Sequence, residues 1–306
     1  MSLTLVEANK LSQDVLLKGV IEIIIKDSPI LAQLPFIEVV GNGLSYNREN
    51  VLPSVGFYAV GDTWAESTPT FTSATAQLTI LGGDADVDNF LKITRSNVQD
   101  IEAEVIALKT KALRHKFEET FLYGTTATAN QFEGLRTLIN TWTSSDQVIA
   151  VSATGSALTL EKLDELVDKV LGGKPDALVM SRRSRRKINS LVRALGSVSI
   201  EMKQTEFGLW IEYYNGIPLW VTDWQLDTHT CSASLDTAIT GGTTSNIYAV
   251  QVGEGALAGI TAPGAIVIEP VGQLETKDAT RTRIKWYCGL ALFSSKKAAA
   301  LVGVTN

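Results

Sequence analysis

The sequence predicts a mixed α/β protein of the α+β class, organised around one long helix. Three observations support this: helical spacing of apolar residues over 96–123, alternating short helices and strands from residue 159 onward, and a final strand with period-2 patterning up to Leu292. With 306 residues and 45% hydrophobic content, the chain can bury a core large enough for one or two domains.

Residues 1–37 are predicted to form an N-terminal arm. Helical spacing extends over residues 4–26, and Ser28-Pro29 is expected to end that helix because the residue before proline disfavours the α conformation. The arm has no signal-peptide pattern and its apolar run is too short to span a bilayer, so we expect a cytosolic product with no membrane role. Its isoleucines are candidate inter-subunit contacts: Ile21, Ile23, Ile24 and Ile25.

Residues 38–92 form an extended segment with strand-forming residues but no face that could be buried. We predict a hairpin that pairs Val55–Val60 with Gln77–Leu81. An isolated hairpin is a poor structure in water, so another subunit is expected to supply its packing partner. The candidate contact residues are its aromatic side chains: Phe57, Tyr58, Trp64 and Phe71.

An acidic triplet, Asp84, Asp86 and Asp88, ends this segment and places three carboxylates on one face of a strand. The spacing resembles the start of a calcium loop, but Asn89 stands where glycine is needed and Arg95 where glutamate is needed. We therefore expect these carboxylates to meet basic residues across a subunit boundary rather than to bind calcium.

The long helix is predicted over residues 96–123. Ser96 and Gln99 form a capping-box pattern, and Gly124 ends the helix. At 1.5 Å per residue its length is on the order of 40 Å. The predicted buried stripe consists of apolar residues at helical spacing: Val98, Ile101, Val105, Leu108, Ala112 and Phe117.

The rest of the chain alternates between helices and strands. Thr159 is expected to cap a helix with Leu163 and Leu166 turned inward, and a second helix is predicted over Arg182–Leu195. Cys288 lies in the last strand and is expected to be a small core residue. The predicted strands are Ala177–Met180, Ile217–Trp224, Ile247–Val252, Ala265–Glu269 and the alternating run through Ile284, Trp286, Cys288, Leu290 and Leu292.

Residues that carry chemistry are few. The two histidines are His115, among charged neighbours, and His229, two residues before Cys231 without an evident third group to orient a dyad. The glycine-rich runs 172–175 and 253–259 depart from nucleotide-binding motifs and are interpreted as turns. We predict no catalytic, cofactor or metal site.

A basic run at the start of the second short helix places five cations in six residues, including Arg182, Arg183, Arg185 and Arg186, and ends at Lys187. Such a run creates a local positive field that nucleic acid would favour. However, the formal net charge is −6 and no aromatic residues interleave the run. A solvated or inter-subunit face is the preferred interpretation, and a contact with nucleic acid stays open.

Three segments, in this order, resemble the major capsid proteins of tailed bacteriophages with the HK97 fold. Asp176–Arg183 is similar to the family's strand-to-helix step, Gly216–Asp223 resembles its G-x-P-V-x-x-S/T-D strand, and Thr282–Val304 resembles its closing segment. The resemblance implies four parts: an arm (1–37), an extended loop (38–92), a peripheral domain with the spine helix (93–150 and 265–295), and an axial domain (151–264 and 296–306).

The resemblance also implies a homo-oligomeric icosahedral shell of pentamers and hexamers that encloses double-stranded DNA without sequence-specific binding. Its expected partners are a separate scaffolding protein, a portal and a decoration protein, with assembly in the host cytoplasm and a final location in the virion. Residues 38–91 contain no lysine, so the covalent cross-link of some members is not expected here. The alternatives are an encapsulin-like nanocompartment shell and a soluble α/β enzyme.

Overall fold

The computed structural model describes residues 29–90, 101–142, 147–194, 200–204, 210–232 and 235–305. These residues form five α-helices and sixteen strands, which confirms the mixed α/β class. The helices are α1 (Pro29–Gln33), α2 (Ile101–Tyr123), α3 (Leu135–Trp142), α4 (Leu160–Asp168) and α5 (Arg182–Ala194). The strands are β1 (Phe36–Glu38), β2 (Gly43–Val51), β3 (Thr70–Gln77), β4 (Thr79–Asp88), β5 (Val148–Ala150), β6 (Ser156–Ala157), β7 (Ala177–Met180), β8 (Ile200–Gln204), β9 (Trp210–Tyr214), β10 (Ile217–Val221), β11 (Thr230–Ser232), β12 (Leu235–Ala238), β13 (Ser245–Val250), β14 (Leu257–Gln273), β15 (Ala279–Leu292) and β16 (Ala298–Thr305).

A central eight-stranded sheet has the order β5-β16-β13-β7-β10-β9-β8, with β6 beside β16. Its middle strands are buried on both faces, which explains why β7 and β13 are continuous apolar runs rather than alternating ones. Leu178 and Met180 face the helices α4 and α5, whereas Ala177 and Val179 face the core that α2 and α3 share. The predicted strand Ala177–Met180 is confirmed.

A four-stranded sheet, in the order β1-β14-β15-β4, packs one face against α2. On β15 the side chains of Ile284, Trp286 and Cys288 are buried, while the alternating Arg283 is exposed and Lys285 and Tyr287 are half-buried, as the period-2 pattern predicts. Phe117 of α2 stacks on Trp286 with ring centroids 4.7 Å apart. Through these contacts the cores of the two sheets form one continuous cluster.

The long helix is confirmed over Ile101–Tyr123, and its predicted capping box at 96–99 lies outside the described residues. The predicted buried stripe is correct at Phe117 but wrong at Leu108, which is 58% exposed, and at Ala112, which is also exposed. Ile106 and Leu113 are buried instead. Thr110 occupies a buried position on the same side of the helix, and its hydroxyl donates to the Ile106 carbonyl at 2.8 Å. A hydroxyl satisfied within the helix can take a core position that hydrophobicity alone would not assign to it.

The predicted hairpin register is also wrong. Strand β2 pairs with β3, from Gly43 opposite Gln77 to Val51 opposite Thr70, and residues 52–69 form the loop between them. Gln77–Leu81 does not pair with Val55–Val60, because β4 joins the four-stranded sheet beside β15. Burial in this hairpin is confined to its inner end, at Ala74 and Ala76, so its outer part has no side-chain periodicity that could fix the register.

Strand β14 is much longer than the predicted Ala265–Glu269 and crosses the predicted domain boundary at 264/265. Its pairing with β15 shifts between Thr261 and Ile266, where Gly264 and Ala265 have φ of 89° and 46°. This irregularity has the geometry of a β-bulge, so the Ala-Pro-Gly sequence interrupts the pairing without ending the strand.

Several shorter predictions can be compared with the structure. Thr159 caps α4 as expected, accepting a hydrogen bond from the Lys162 amide. Pro29 starts the short helix α1, since proline is tolerated in the first turn. The strand β10 stops at Val221, shorter than the predicted Ile217–Trp224. Among the described helices, none is both long enough and apolar enough to cross a membrane.

Candidate functional site: the exposed hairpin and the charged sheet face

The hairpin tip, residues 52–69, exposes apolar side chains to an extent that no other described part of the chain matches. Phe57 is fully exposed and Trp64 is 76% exposed. The β2–β3 hairpin is a two-stranded sheet with no layer beneath its outer half, so these side chains have nothing to pack on within the subunit. The exposed apolar residues of the tip and its flanks are Val51, Leu52, Val55, Phe57, Val60, Trp64 and Phe71.

The tip nevertheless has a defined conformation. Tyr58 stacks on Trp64 with ring centroids 4.6 Å apart, and the Ala65 amide donates to the Tyr58 hydroxyl at 3.3 Å. Asp62 accepts a hydrogen bond from the Ala59 amide at 2.6 Å and so closes the turn. The apolar surface is therefore shaped before it meets a partner, which lowers the entropy lost on binding.

The acidic triplet lies on one face of β4, as predicted, but Asp84 and Asp86 find their basic partners within the same chain. Arg283 donates to Asp84 at 2.7 and 3.0 Å, and Arg281 donates to Asp86 at 2.6 and 2.7 Å. These partners lie within the subunit because β15 is the neighbour of β4 in the sheet, and a contact of this face across a subunit boundary stays a prediction. Asp88 instead accepts a hydrogen bond from the Phe90 amide.

This charged face shifts the pKa values of its carboxyl groups. The hydrogen bonds from Arg283 and Arg281 lower the pKa of Asp84 and Asp86. Lys285 of β15 donates to Glu269 on the neighbouring strand β14 at 2.6 Å and lowers the pKa of that carboxyl. The face is thus a ladder of exposed ion pairs, whose individual contributions are small in water.

The basic run at the start of α5 is largely neutralised by nearby acceptors. Arg182 pairs with Asp223, and Arg183 donates to the Thr243 carbonyl at 2.9 Å. Arg185 lies 3.6 Å from Glu212. Arg186 is exposed on the same helix. Most of the run therefore belongs to the surface of its own subunit, while the predicted arm contacts Ile21, Ile23, Ile24 and Ile25 lie outside the described residues.

A buried polar cluster surrounds His229, which sequence reasoning considered only with Cys231. The ring nitrogens of His229 lie 2.9 Å from Asp236 and 2.8 Å from the Tyr123 hydroxyl, and Arg136 also pairs with Asp236. Asp236, seven residues away across the β11–β12 hairpin, is the orienting group that sequence reasoning missed. The cluster joins Tyr123 at the end of α2 to Asp236 in the β11–β12 hairpin. His229 itself is completely buried.

The remaining chemistry is equally limited. Burial raises the pKa of the Cys231 and Cys288 thiols, which keeps both in the unreactive protonated form. In the described part of the chain, no three His, Cys, Asp or Glu residues are grouped so as to hold a metal ion.

Comparisons with known proteins find similarity to one family model and to solved structures. Residues 67–218 match the family model described as SU10 major capsid protein. No curated protein sequence gives a significant match. Among solved structures, the holo-SrpI encapsulin complex from Synechococcus elongatus PCC 7942 gives a TM-score of 0.67 at 16% identity, covering 90% of this chain and 87% of that one.

Two virus-like structures are similarly close. The capsid of a native GTA particle gives a TM-score of 0.62 at 13% identity and covers 90% of both chains. Microbacterium phage Oxtober96 gives 0.63 at 14% identity and covers 91% of both chains. These likenesses show the HK97 fold, and together with the capsid-protein family match they support a shell-forming structural role. The match of residues 67–218, just under half of the chain, to the major capsid protein model agrees with the family resemblance found in the sequence.

Proposed function

We propose that this chain assembles through pentamers and hexamers into an icosahedral shell that encloses the double-stranded DNA of a tailed bacteriophage. The observation that carries the proposal is the hairpin tip, which exposes an ordered apolar surface with no partner in its own subunit. Burying one large apolar side chain contributes about 1.5–3 kcal/mol, and a closed shell repeats each such contact in every subunit.

The proposed receiver of the tip is the α2 helix of a neighbouring subunit. Between Glu49 and Leu91 the chain contains acidic residues, such as Asp62 and Glu66, but neither lysine nor arginine. The solvent-facing side of α2 carries Lys109 and Lys111 beside Leu108, which is 58% exposed. Opposite charge and exposed apolar surface on the two elements together favour this pairing.

A groove at the edge of α2 gives the tip a place to dock. It has a volume of about 150 Å³ between α2 and β4, and its walls include Gly82, Gly83 and Ala112, whose small side chains leave the surface open. Lys109 and Lys116 line its rim. A projecting aromatic side chain next to an acidic group fits such a groove in shape and charge.

The role proposed towards DNA is confinement without tight or sequence-specific binding. The net charge of −6 and the ion pairs that neutralise Arg182, Arg183 and Arg185 support this. We also propose that the protein has no enzymatic activity and assembles in the host cytoplasm with a separate scaffolding protein. A portal and a decoration protein complete the proposed virion.

The test is assembly of purified subunits, followed by light scattering and negative-stain microscopy of the same fraction. Phe57→Ser is expected to abolish or strongly reduce particles, while Phe57→Leu, which keeps an apolar side chain, retains them. Because Phe57 is fully exposed in the subunit, circular dichroism of the unassembled protein is expected to be the same for both variants. Particles formed by Phe57→Ser at the wild-type yield would contradict the proposed role of the tip.

The second candidate is an encapsulin-like nanocompartment that packages enzymes, which the similarity to the SrpI encapsulin complex favours. At 16% identity this similarity shows a shared fold and gives no information about what the shell encloses. The genes beside the coding sequence distinguish the two candidates. Terminase, portal and protease genes would support the capsid, and a cargo enzyme gene alone would support the nanocompartment.

A further inference from the structure

Two side chains at the base of the hairpin, Tyr46 and Arg48, connect it to the four-stranded sheet; we call them the hairpin anchor. The Tyr46 hydroxyl donates to the Leu292 carbonyl at 2.9 Å, and Arg48 Nε donates to the Phe293 carbonyl at 2.8 Å. Arg48 Nη2 also donates to the Leu292 carbonyl. The Tyr46 ring packs on Phe293 with centroids 4.8 Å apart, and the Arg48 guanidinium lies 5.4 Å from the centre of the Tyr46 ring.

The position of these carbonyls in the chain is significant. Leu292 is the last residue of β15 in the four-stranded sheet, and after a short 3₁₀ turn at Ser295–Lys297 the chain enters β16 of the central sheet. The hairpin anchor therefore holds the hairpin to the segment that joins the two sheets. The direction of the hairpin is set at the place where the relative position of the sheets is also set.

Arg48 is the outermost of these contacts. Among the described residues, none from Glu49 to Phe71 has a hydrogen bond or ion pair to any residue outside the hairpin and its loop. An apolar cluster that includes Leu44, Tyr46 and Phe293 holds the inner end of the hairpin. Beyond Arg48, the tip is connected to the rest of the subunit only through the paired strands β2 and β3. A small rotation of these strands about their base therefore produces a large displacement of Phe57.

The chemistry of the hairpin anchor favours a fixed geometry. A guanidinium is planar and rigid and donates in two directions at once, whereas a lysine ammonium is a point charge on a flexible chain. Hydrogen bonds from a charged donor are also stronger than neutral ones. Burial raises the pKa of Tyr46, so its hydroxyl remains a donor to Leu292.

We propose that Tyr46 and Arg48 are positioning residues that fix the angle of the hairpin relative to the subunit body before assembly. This inference rests on the proposed shell function. The two residues then determine where the tip meets the neighbouring subunit, and thereby the curvature of the shell. They bind no ligand, and their partner is the main chain at Leu292 and Phe293.

The test measures the hairpin angle directly in the unassembled subunit. Spin labels at Thr70→Cys, in the outer hairpin, and Ser190→Cys, on α5, report their separation by pulsed electron resonance; both sites are exposed. Cys231→Ser removes the partly exposed native thiol, and Cys288 is buried. A small fraction of labelled subunits is diluted into unlabelled protein, so that only distances within one subunit contribute.

We expect one narrow distance distribution for the otherwise wild-type protein and a clearly broadened one for Arg48→Ala. Arg48→Lys and Tyr46→Phe are expected to broaden it less, and they keep the test decisive if Arg48→Ala does not fold. The matched control is Asn47→Ala, whose side chain is exposed on the opposite face of β2 between the two anchor residues.

An unchanged width in both Arg48 variants would overturn the inference and would leave the apolar cluster as the sole determinant of the angle. Assembly is a separate outcome of the same variants. If wild-type subunits fail to form shells while Arg48→Ala broadens the distribution, the shell function is contradicted and the positioning role stands. If shells form and the distributions are identical, only the positioning role falls.

Discussion

The hairpin and the central sheet are both made of strands, yet they use hydrophobic residues in opposite ways. In the central sheet, every residue of β7 and β13 is buried between two layers of helices. In the hairpin, residues 52–69 include Phe57 and Trp64, large apolar side chains that face solvent. The difference indicates that burial in the central sheet stabilises the subunit. Under the proposed function, burial of the hairpin tip comes only from association between subunits.

The largest contrast is expected from truncating one aromatic residue in each region. Trp220→Ala empties a site that is 0% exposed and removes the hydrogen bond from its indole to Gln33. We expect the free energy of unfolding to fall by about 3–5 kcal/mol. Phe57→Ala is expected to change it by less than about 0.5 kcal/mol, because no packing within the subunit is lost.

Urea denaturation of the unassembled subunits measures both values. Equal destabilisation by the two substitutions would contradict the separation between a folding core and an assembly surface. Trp220→Phe serves as the matched control, since it keeps most of the apolar volume, and it is expected to lie between the wild type and Trp220→Ala.

The buried cluster around His229 is the next most sensitive region. Asp236→Asn removes the negative charge that faces Arg136 and His229, and we expect a loss of about 3 kcal/mol because a mostly buried cation is left unpaired. Burial opposes ionisation of Asp236, but hydrogen bonds from His229 and Arg136 hold its pKa below the ordinary value. The stabilisation it gives is therefore present above about pH 4 and is lost as the pH falls further.

The corresponding measurement is denaturant unfolding of wild type and Asp236→Asn at several pH values. The difference between them should be largest near neutral pH and should shrink in acid. Asp168→Asn, at an exposed position in α4, is the control and should show neither effect. A difference that does not change with pH would mean that the charge of Asp236 is not what stabilises the cluster.

A smaller effect is expected at Gly82, where the backbone of β4 lies close to the backbone of β15. A Cβ at this position would lie 2.5 Å from the Ile284 carbonyl oxygen, so Gly82→Ala forces β4 away from β15. We expect a loss of about 1–3 kcal/mol, as for other overpacked sites. Gly61→Ala in the tip is a useful comparison because it has open space but a φ of 96°, so any cost there comes from backbone conformation alone.

The smallest effect is expected from the ladder of exposed ion pairs. Because Arg281 and Arg283 lower the pKa of Asp86 and Asp84, the ladder stabilises the fold above the ordinary carboxyl pKa of about 4, and this contribution disappears in more acidic solution. The double variant Asp84→Asn and Asp86→Asn should lose a little stability at low salt and less at high salt. A large loss of stability that salt does not reduce would contradict the view that these ion pairs contribute only weakly to the fold.

Features that depend on local patterns were predictable from the sequence. The long helix, the buried run Ala177–Met180 and the alternating strand β15 follow from periodicity. The assembly role of residues 38–92 stays a prediction. The register of β2 with β3 was not predictable, because only the inner end of these strands, at Ala74 and Ala76, has a buried side, and the exposed remainder has no pattern to align. The Arg281 and Arg283 partners of the acidic triplet depend on which strand becomes the neighbour of β4, some two hundred residues away in sequence.

The central claim is that the hairpin tip is exposed in the free subunit and becomes buried in the shell. Hydroxyl-radical footprinting, read by mass spectrometry, measures this directly at Trp64, with the buried Trp220 as an internal reference. Trp64 should be oxidised readily in the free subunit and be strongly protected in assembled particles, while Trp220 stays protected in both. Equal oxidation of Trp64 in subunits and particles would contradict the account.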